Sequence, residues 1–211
     1  MNLFYLELIG TVAFASSGAM IAIAKKDGYF SGVNVLGATT AVGGGIMRDI
    51  ILGLTPPGAF SHPVYVLVAA LTSTILFVIA YAKPTAFESR VKTDYYDKLM
   101  FWCDTAGLGI FTVVGIQAAV RAVGGENVFF FVFIGTLTGV GGGVLRDIMA
   151  GETPYILVKH IYACAAIAGG IVCVVGRTAF GEAYGTILGL AATVLLRFLA
   201  AHFRWNLMRV S

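Results

Sequence analysis

Charge is scarce in this chain. Lys, Arg, Asp and Glu make up only 12% of its 211 residues, whereas soluble domains carry about 25%. Hydrophobic residues make up 58%, and the mean hydropathy is +0.88. This composition excludes an ordinary soluble domain and predicts an integral membrane protein. We therefore expect the lipid bilayer, and no nucleic acid, as its surroundings, and we expect any function to lie within the bilayer.

Cysteine is also scarce, and reactive constellations are missing. The three cysteines lie in apolar segments, and none has a partner at a metal-ligand or redox spacing, so we expect them to be packing residues. They are Cys103, Cys164 and Cys173. The three histidines lie toward segment ends without HExxH or a comparable ligand spacing. Because an enzyme would need a nucleophile with a base or a metal set, we predict no catalysis, no bound metal and no cofactor.

The chain has no period-two alternation, which argues against a barrel with strands of about 10 residues. It has instead seven mostly apolar segments of about the ~20 residues that cross a ~30 Å hydrocarbon core. They are residues 3–24, 32–53, 64–82, 98–120, 128–150, 158–176 and 183–203. The predicted fold class is an all-α membrane protein with seven transmembrane helices. No basic residue precedes the first segment, and Glu7 lies within it, so we expect this segment to be retained rather than cleaved as a signal peptide.

Lys and Arg are unevenly distributed between alternate connecting segments. One side carries nine of them and the other side two. The nine are Lys25, Lys26, Lys83, Arg90, Lys92, Lys98, Lys159, Arg204 and Arg209, and the two are Arg121 and Arg177. Because cytoplasmic loops carry the excess of positive charge, we expect the N-terminus outside and the C-terminus in the cytoplasm.

Two stretches of the chain repeat each other. GATTAVGGGIMRDIILGLTP at 37–56 and GTLTGVGGGVLRDIMAGETP at 135–154 agree at 12 of 20 positions. At an offset of 97 the match extends to the first helix of each half and pairs Glu7 with Asp104, Phe14 with Phe111 and Gly18 with Gly115. We predict a three-helix repeat over 1–82, a polar linker over 83–97, a second repeat over 98–178, and a seventh helix with a tail over 179–211.

A repeat of three membrane spans must enter the bilayer in the opposite sense the second time, so we expect the repeat to be inverted. In such proteins the functional site tends to lie between the halves, on helices that Gly or Pro interrupts. The glycine runs Gly43, Gly44, Gly45 and Gly141, Gly142, Gly143 lie at the centres of segments two and five. Three consecutive glycines favour a local break that opens the backbone to a wet cavity; close packing of another backbone is the alternative.

Each glycine run is followed by an Arg-Asp pair, Arg48 with Asp49 and Arg146 with Asp147. Charges at this depth are expensive and by default face a water-filled cavity or one another. Sequence neighbours lie ~100° apart around a helix. We therefore expect exchanged pairing between the halves, Arg48 with Asp147 and Arg146 with Asp49. The pairs either line a passage or only clamp the halves together.

Polar residues near these motifs are further candidates for an ion pathway. Their hydroxyls can replace water around an ion or bond to their own helix; they are Ser16, Ser17, Thr39, Thr40, Thr136 and Thr138. Glu7 and Asp104 lie nearer opposite membrane faces. We expect them at the two pore mouths, where they would attract cations, although an acid at a helix end is often just a solvated residue.

Four features together resemble a known family: the paired GGGxxRDI motifs, FASSGA in segment one, DTAGLGIFTVVG in segment four, and the three-plus-three-plus-one layout. They are similar to the prokaryotic branch of the trimeric intracellular cation (TRIC) channels, which also carries a glycine transporter label. The resemblance implies a homotrimer in the prokaryotic plasma membrane. Each protomer would pass K⁺ and Na⁺ between kinked helices two and five, with the glycines, arginines and aspartates of both motifs at the constriction. Animal members have Lys-Glu-Val where this chain has Arg48, Asp49 and Ile50.

The leading interpretation is a passive monovalent-cation channel, with K⁺ or Na⁺ held near the glycine kinks. Selectivity is expected to be weak, because the chain has no TVGYG-type carbonyl ladder. A secondary transporter of a small solute such as glycine is the alternative, since many transporters share inverted repeats with broken helices. A purely structural or assembly role also stays open.

Overall fold

The computed structural model describes residues 3–25, 28–82, 94–125, 127–158, 161–203 and 205. All the regular secondary structure within these residues is helical. We number the helices in chain order: α1 Leu3–Ala24, α2 Phe30–Ile51, α3 Gly58–Ser61, α4 Val64–Ala82, α5 Asp94–Val123, α6 Val128–Met149, α7 Tyr155–Val158, α8 Ala163–Phe180 and α9 Glu182–His202. The prediction of an all-α membrane protein is confirmed. Residues 83–93 of the predicted linker lie outside the described residues.

Six of these helices are long and apolar enough to cross a membrane: α1, α4, α5, α6, α8 and α9. α2 has the required length but not the required hydropathy, because it contains five glycines together with Asn34, Arg48 and Asp49. Apolar side chains cover the outside of the bundle. On α4, for example, Leu67, Leu71 and Ile75 are each about 60% exposed (60%, 62% and 58%). A surface of this kind requires lipid or another apolar partner, so the chain is an integral membrane protein.

The two halves use the same internal packing. α1 packs on α2 and α4 in the first half, and α5 packs on α6 and α8 in the second. Contacts between α1 and α5 and between α2 and α6 join the halves, while α9 packs on α8 and α5. Fine details repeat as well. Gly18 lies against Thr40 and Gly37, and Gly115 lies in the same way against Thr138 and Gly135.

The ends of the helices follow local sequence signals. α2 and α6 both end before a glycine in the left-handed region, Gly53 at φ 69° and Gly151 at φ 66°. Only glycine adopts this conformation without strain, so it terminates the helix. Segment two therefore ends at Ile51 rather than at the predicted residue 53. After Gly151 the chain forms the short helix α7, so that α8 begins at Ala163, later than the predicted 158.

Candidate functional site

α2 and α6 cross at their glycine runs. A Cβ atom added to Gly44 would overlap the carbonyl oxygen of Thr138, and one added to Gly142 would overlap the carbonyl oxygen of Thr40. This exchange of partners is the pattern of an antiparallel crossing. The predicted break at the glycines is wrong, since each helix runs through its three glycines without interruption. The glycines instead allow two backbones to touch, as small residues do in membrane helix pairs.

The other glycines of the two runs face different neighbours. A Cβ atom added to Gly43 would contact the side chain of Leu145. A Cβ atom added to Gly141 would lie 3.2 Å from the Cα of Gly44. A Cβ atom added to Gly143 would lie 2.9 Å from the hydroxyl oxygen of Tyr162. Gly45 is different, because nothing lies closer to such a Cβ than an Arg48 nitrogen at 3.9 Å. Gly45 therefore borders open space.

Two aromatic rings close the centre of the molecule beside this crossing. Phe14 of α1 and Phe111 of α5 stack with ring centroids 5.3 Å apart and planes 23° apart. Both side chains are buried, and a Cβ on Gly142 would lie 3.3 Å from the Phe14 ring. Because the two phenylalanines occupy equivalent positions in the repeat, the stack lies where the halves meet. Together with the glycine crossing it forms a tightly packed barrier.

A charged group, the Glu7 cluster, lies on one side of the barrier. We define it as Glu7, Arg48, Asp49 and Tyr65. Arg48 Nε donates to Asp49 Oδ1 at 2.7 Å, and Arg48 Nη1 lies 3.9 Å from Glu7 Oε1. The Tyr65 hydroxyl donates to Glu7. The backbone N–H of Gly58 donates to Asp49 Oδ2 at 2.7 Å, which fixes the loop after α2.

A second group, the Asp104 cluster, lies on the other side. We define it as Asp104, Arg146, Asp147, Tyr162 and Arg197. Arg146 Nε donates to Asp147 Oδ1 and Arg146 Nη1 to Asp104 Oδ1, both at 2.8 Å. The Tyr162 hydroxyl donates to Asp104 Oδ1 at 3.1 Å. Asp147 Oδ2 accepts from the backbone N–H of residue 155 at 2.8 Å, as Asp49 does from Gly58.

The two clusters are the same motif built twice. Glu7, Arg48, Asp49 and Tyr65 correspond in the repeat to Asp104, Arg146, Asp147 and Tyr162. The predicted exchange of partners between the halves is wrong, because each arginine pairs with the aspartate that follows it. At a rise of 1.5 Å per residue, Arg48 lies about 6 Å along the helix axis from the crossing. Asp147 lies about 7.5 Å from the crossing in the opposite direction. The exchanged partners are therefore too far apart to meet, and each arginine pairs instead with the aspartate that follows it in the same helix.

The clusters differ in their access to open space. A cavity of about 160 Å³ lies at the Glu7 cluster, lined also by Thr11, Gly45 and His62. The side chains of Arg48 and Glu7 are 12% and 23% exposed. In the Asp104 cluster both Arg146 and Asp104 are 0% exposed. The first copy of the motif is thus open to a cavity. In the second copy the Arg146–Asp104 pair is sealed, while Asp147 borders a groove of about 480 Å³ that Lys25 and Asp97 also line.

Asp104 does not have the position expected of a pore mouth. Its carboxylate is fully buried between two guanidinium groups and a phenol, because the helix that carries it begins ten residues earlier, at Asp94. Glu7 also borders a wider groove of about 570 Å³ lined by Leu3, Leu54 and Arg121. Of the two acids, only Glu7 lies beside open space.

Three of the six candidate hydroxyl groups bond within their own helices. The acceptors are backbone carbonyls four residues earlier; the donors are Ser16 at 2.7 Å, Thr40 at 2.6 Å and Thr138 at 2.7 Å. Ser17 differs, because its hydroxyl accepts from Arg146 Nη1 and so belongs beside the Asp104 cluster. The Thr136 hydroxyl is buried and has no hydrogen-bond partner among the described residues. Thr39 is partly buried, with its methyl group 3.9 Å from the position of a Cβ on Gly43.

Arg197 of α9 is the functional candidate that the sequence reasoning missed. Its Nη2 atom lies 3.4 Å from Asp104 Oδ2, and its guanidinium carbon lies 4.8 Å from the ring centre of Tyr162 and 5.0 Å from that of Phe101. The sequence feature that indicates it is a charged residue within an apolar segment, since charged residues inside a membrane are usually functional. The comparison of the two repeats does not reach Arg197, because α9 has no counterpart in the repeat.

Comparison with known proteins gives consistent results along the whole chain. A family model described as Glycine transporter matches residues 4–81 and again 101–178. UPF0126 inner membrane protein YadS of Escherichia coli K12 is 36% identical over 98% of this chain and 94% of its own. A UPF0126 membrane protein of Deinococcus radiodurans is 39% identical over 80% of this chain and 73% of its own.

Solved structures of TRIC cation channels share the fold. One matches with a TM-score of 0.83 and 34% identity over 100% of this chain and 98% of its own. A second, the TRIC trimeric intracellular cation channel orthologue from Rhodobacter sphaeroides, matches with a TM-score of 0.84 and 31% identity over 96% and 98% of the two chains. These relatives are membrane proteins and channels. The chain therefore belongs to the TRIC family, whose family model bears the description Glycine transporter.

Proposed function

We propose that the protein is a passive channel for monovalent cations, K⁺ and also Na⁺, with a conduction path inside each protomer along α2 and α6. The observation that carries this proposal is the cavity at the Glu7 cluster. Its lining brings Glu7, Arg48 and Asp49 to one opening deep inside an otherwise apolar bundle. Charged groups at such depth are characteristic of ion pathways, and the solved relatives are cation channels.

In this proposal the structure corresponds to a closed channel. The path runs from the Glu7 cavity toward the Asp104 cluster and is interrupted where Gly44 and Gly142 bring the two backbones together. Because the glycine runs stay helical, their carbonyl groups remain engaged in helix hydrogen bonds. Permeant ions then contact carboxylate and hydroxyl oxygens of the cavity rather than glycine carbonyls. Opening requires α2 and α6 to slide or separate and Arg146 to leave its sealed position.

The same proposal includes the assembly and orientation of the protein. The double match of the family model supports two copies of one unit, inverted in the membrane because each contributes three spans, with α2 completing a set of seven. The excess of Lys and Arg on one side supports an outer N-terminus and a cytoplasmic C-terminus. The trimeric relative supports a homotrimer with one path per protomer.

The direct test is reconstitution of the purified protein in liposomes and planar bilayers. We expect unitary currents carried by K⁺ and Na⁺, with lower permeability to Cl⁻. A channel produces unitary events, whereas a transporter gives saturable uptake without them. Saturable glycine uptake in the absence of unitary currents would overturn the channel proposal and favour the transporter.

Arg48→Gln tests the role of the Glu7 cavity. Removal of one positive charge from a cavity that also holds two carboxylates raises the local concentration of cations. We therefore expect the unitary K⁺ conductance to rise by about twofold or more at low salt, with a smaller rise at high salt because of screening.

Lys98→Gln is the matched control for this experiment, since it removes the same charge from a groove formed by α5 and α9, away from the cavity. We expect Lys98→Gln to leave the conductance unchanged. Equal conductances for the wild type and Arg48→Gln at every salt concentration would show that the cavity does not lie on the path.

A further inference from the structure

Arg197 makes the two copies of the charged motif unequal. It projects from α9, the helix without a counterpart in the other half, and reaches Asp104. The equivalent acid of the first half, Glu7, has Arg48 and Tyr65 as its polar neighbours. The sealed copy thus contains one guanidinium group more than the open copy.

This extra group changes the charge balance. In the Glu7 cluster two carboxylates face one guanidinium, which leaves a formal charge of −1. In the Asp104 cluster two carboxylates face two guanidinium groups, which leaves a formal charge of zero. Among the described residues near the clusters, Lys25 pairs with Glu152 and Arg121 pairs with Glu182. Asp97 lines the groove beside Asp147 and is the same in the wild type and in every variant proposed below.

We propose that Arg197 is a positioning residue for conduction that seals and neutralises the second copy of the motif, so that the two ends of the path present different charges to a cation. The proposal rests on the proposed channel function. Arg197 holds one oxygen of Asp104 while Arg146 holds the other. Asp104 is thereby fixed, and Arg146 is kept in its fully buried position.

The hydrogen bonding of the sealed copy is incomplete. Arg146 Nη2 and Arg197 Nε are both buried without a hydrogen-bond partner among the described residues. Unsatisfied buried donors cost free energy, so the buried arrangement is less stable than a fully hydrogen-bonded one. A rearrangement that exposes these two donors to water therefore recovers part of that free energy. Arg197 belongs to α9 and Asp104 to α5. In this proposal, movement of α9 away from α5 removes the Arg197 charge from the Asp104 cluster and leaves that end of the path negative.

The proposal is tested through the direction dependence of the current. Cations gather at the end with the negative charge, so their current is larger when they enter from the Glu7 end. Arg197→Gln gives the Asp104 cluster the same charge of −1. We expect the ratio of currents for entry from the two ends to fall by about twofold relative to the wild type at low salt. The measurement is the single-channel current–voltage relation in patches of known sidedness.

Three further variants make the test decisive. Arg197→Lys keeps the charge and should keep the wild-type ratio. Glu7→Gln removes the charge at the other end and should lower the ratio by a similar factor. The double variant Asp104→Asn with Arg197→Gln restores a formal charge of zero in the Asp104 cluster and should keep the wild-type ratio of currents. If Arg197→Gln alone does not fold, this double variant still tests the effect of the charge.

A structural role alone predicts a different pattern. Arg197→Gln would then lower the melting temperature and leave the current ratio unchanged, and this result would overturn the proposal. The proposal would also be overturned if the double variant Asp104→Asn with Arg197→Gln showed the lowered current ratio that is expected for Arg197→Gln alone. A wild-type protein that passes no cations at all would instead refute the channel function, and the proposal with it.

Discussion

Gly44→Ala is expected to destabilise the protein strongly, although alanine is the better helix former. Its Cβ would overlap the carbonyl oxygen of Thr138, which is backbone and cannot rotate away. Overpacking of this kind costs about 1–3 kcal/mol, more than the ~1 kcal/mol gained from helix propensity. The net loss is up to about 2 kcal/mol, so we expect the melting temperature of the purified protein in detergent to fall by up to about 8 °C.

Gly45→Ala is the matched control, one residue further along the same run. Its Cβ would have only an Arg48 nitrogen nearby, at 3.9 Å, so propensity decides the outcome and the melting temperature should stay the same or rise slightly. Gly142→Ala should behave like Gly44→Ala, because it meets the Thr40 carbonyl in the equivalent way. Equal tolerance of alanine at positions 44 and 45 would refute the tight crossing of α2 and α6.

The glycine runs show what sequence reasoning can and cannot predict. Their repetition predicted a two-copy helical membrane protein and indicated the TRIC family; the helical membrane fold and the family are confirmed. The runs also suggested a break, whereas α2 and α6 continue through them. Consecutive glycines are compatible with either a bend or a close approach, and the choice depends on what the facing helix presents. At the crossing it presents glycine and a threonine carbonyl, which no local pattern reveals.

The charged residues show a second limit. Both Arg-Asp pairs and both acids of the first helices were identified from the sequence as one constellation. Their pairing was not, because it depends on where Arg48 and Arg146 lie relative to the crossing. The sequence symmetry also suggested two equivalent sites. The difference between them comes from Arg197 of α9, which lies outside the repeat, so symmetry alone cannot predict it.

This inequality leads to the last prediction, which concerns the free energy of unfolding. Asp104→Asn removes a fully buried carboxylate that lies against Arg146 and Arg197. Breaking a buried ion pair by removal of one partner costs about 3–5 kcal/mol, because the remaining charges stay buried without compensation. We expect Asp104→Asn to lower the midpoint of chemical or thermal unfolding markedly and to reduce the yield of folded protein.

Glu7→Gln is the matched control, since Glu7 is the equivalent acid of the first half but borders a cavity. Its side chain is 23% exposed, and its ion pair with Arg48 spans 3.9 Å. Pairs of this kind contribute about 0–1 kcal/mol, and glutamine still accepts the hydrogen bond from Tyr65. The loss of stability should therefore be several times smaller than for Asp104→Asn. Equal losses for the two variants would mean that the Asp104 cluster is hydrated like the Glu7 cluster, and the sealed state of the second copy would then be refuted.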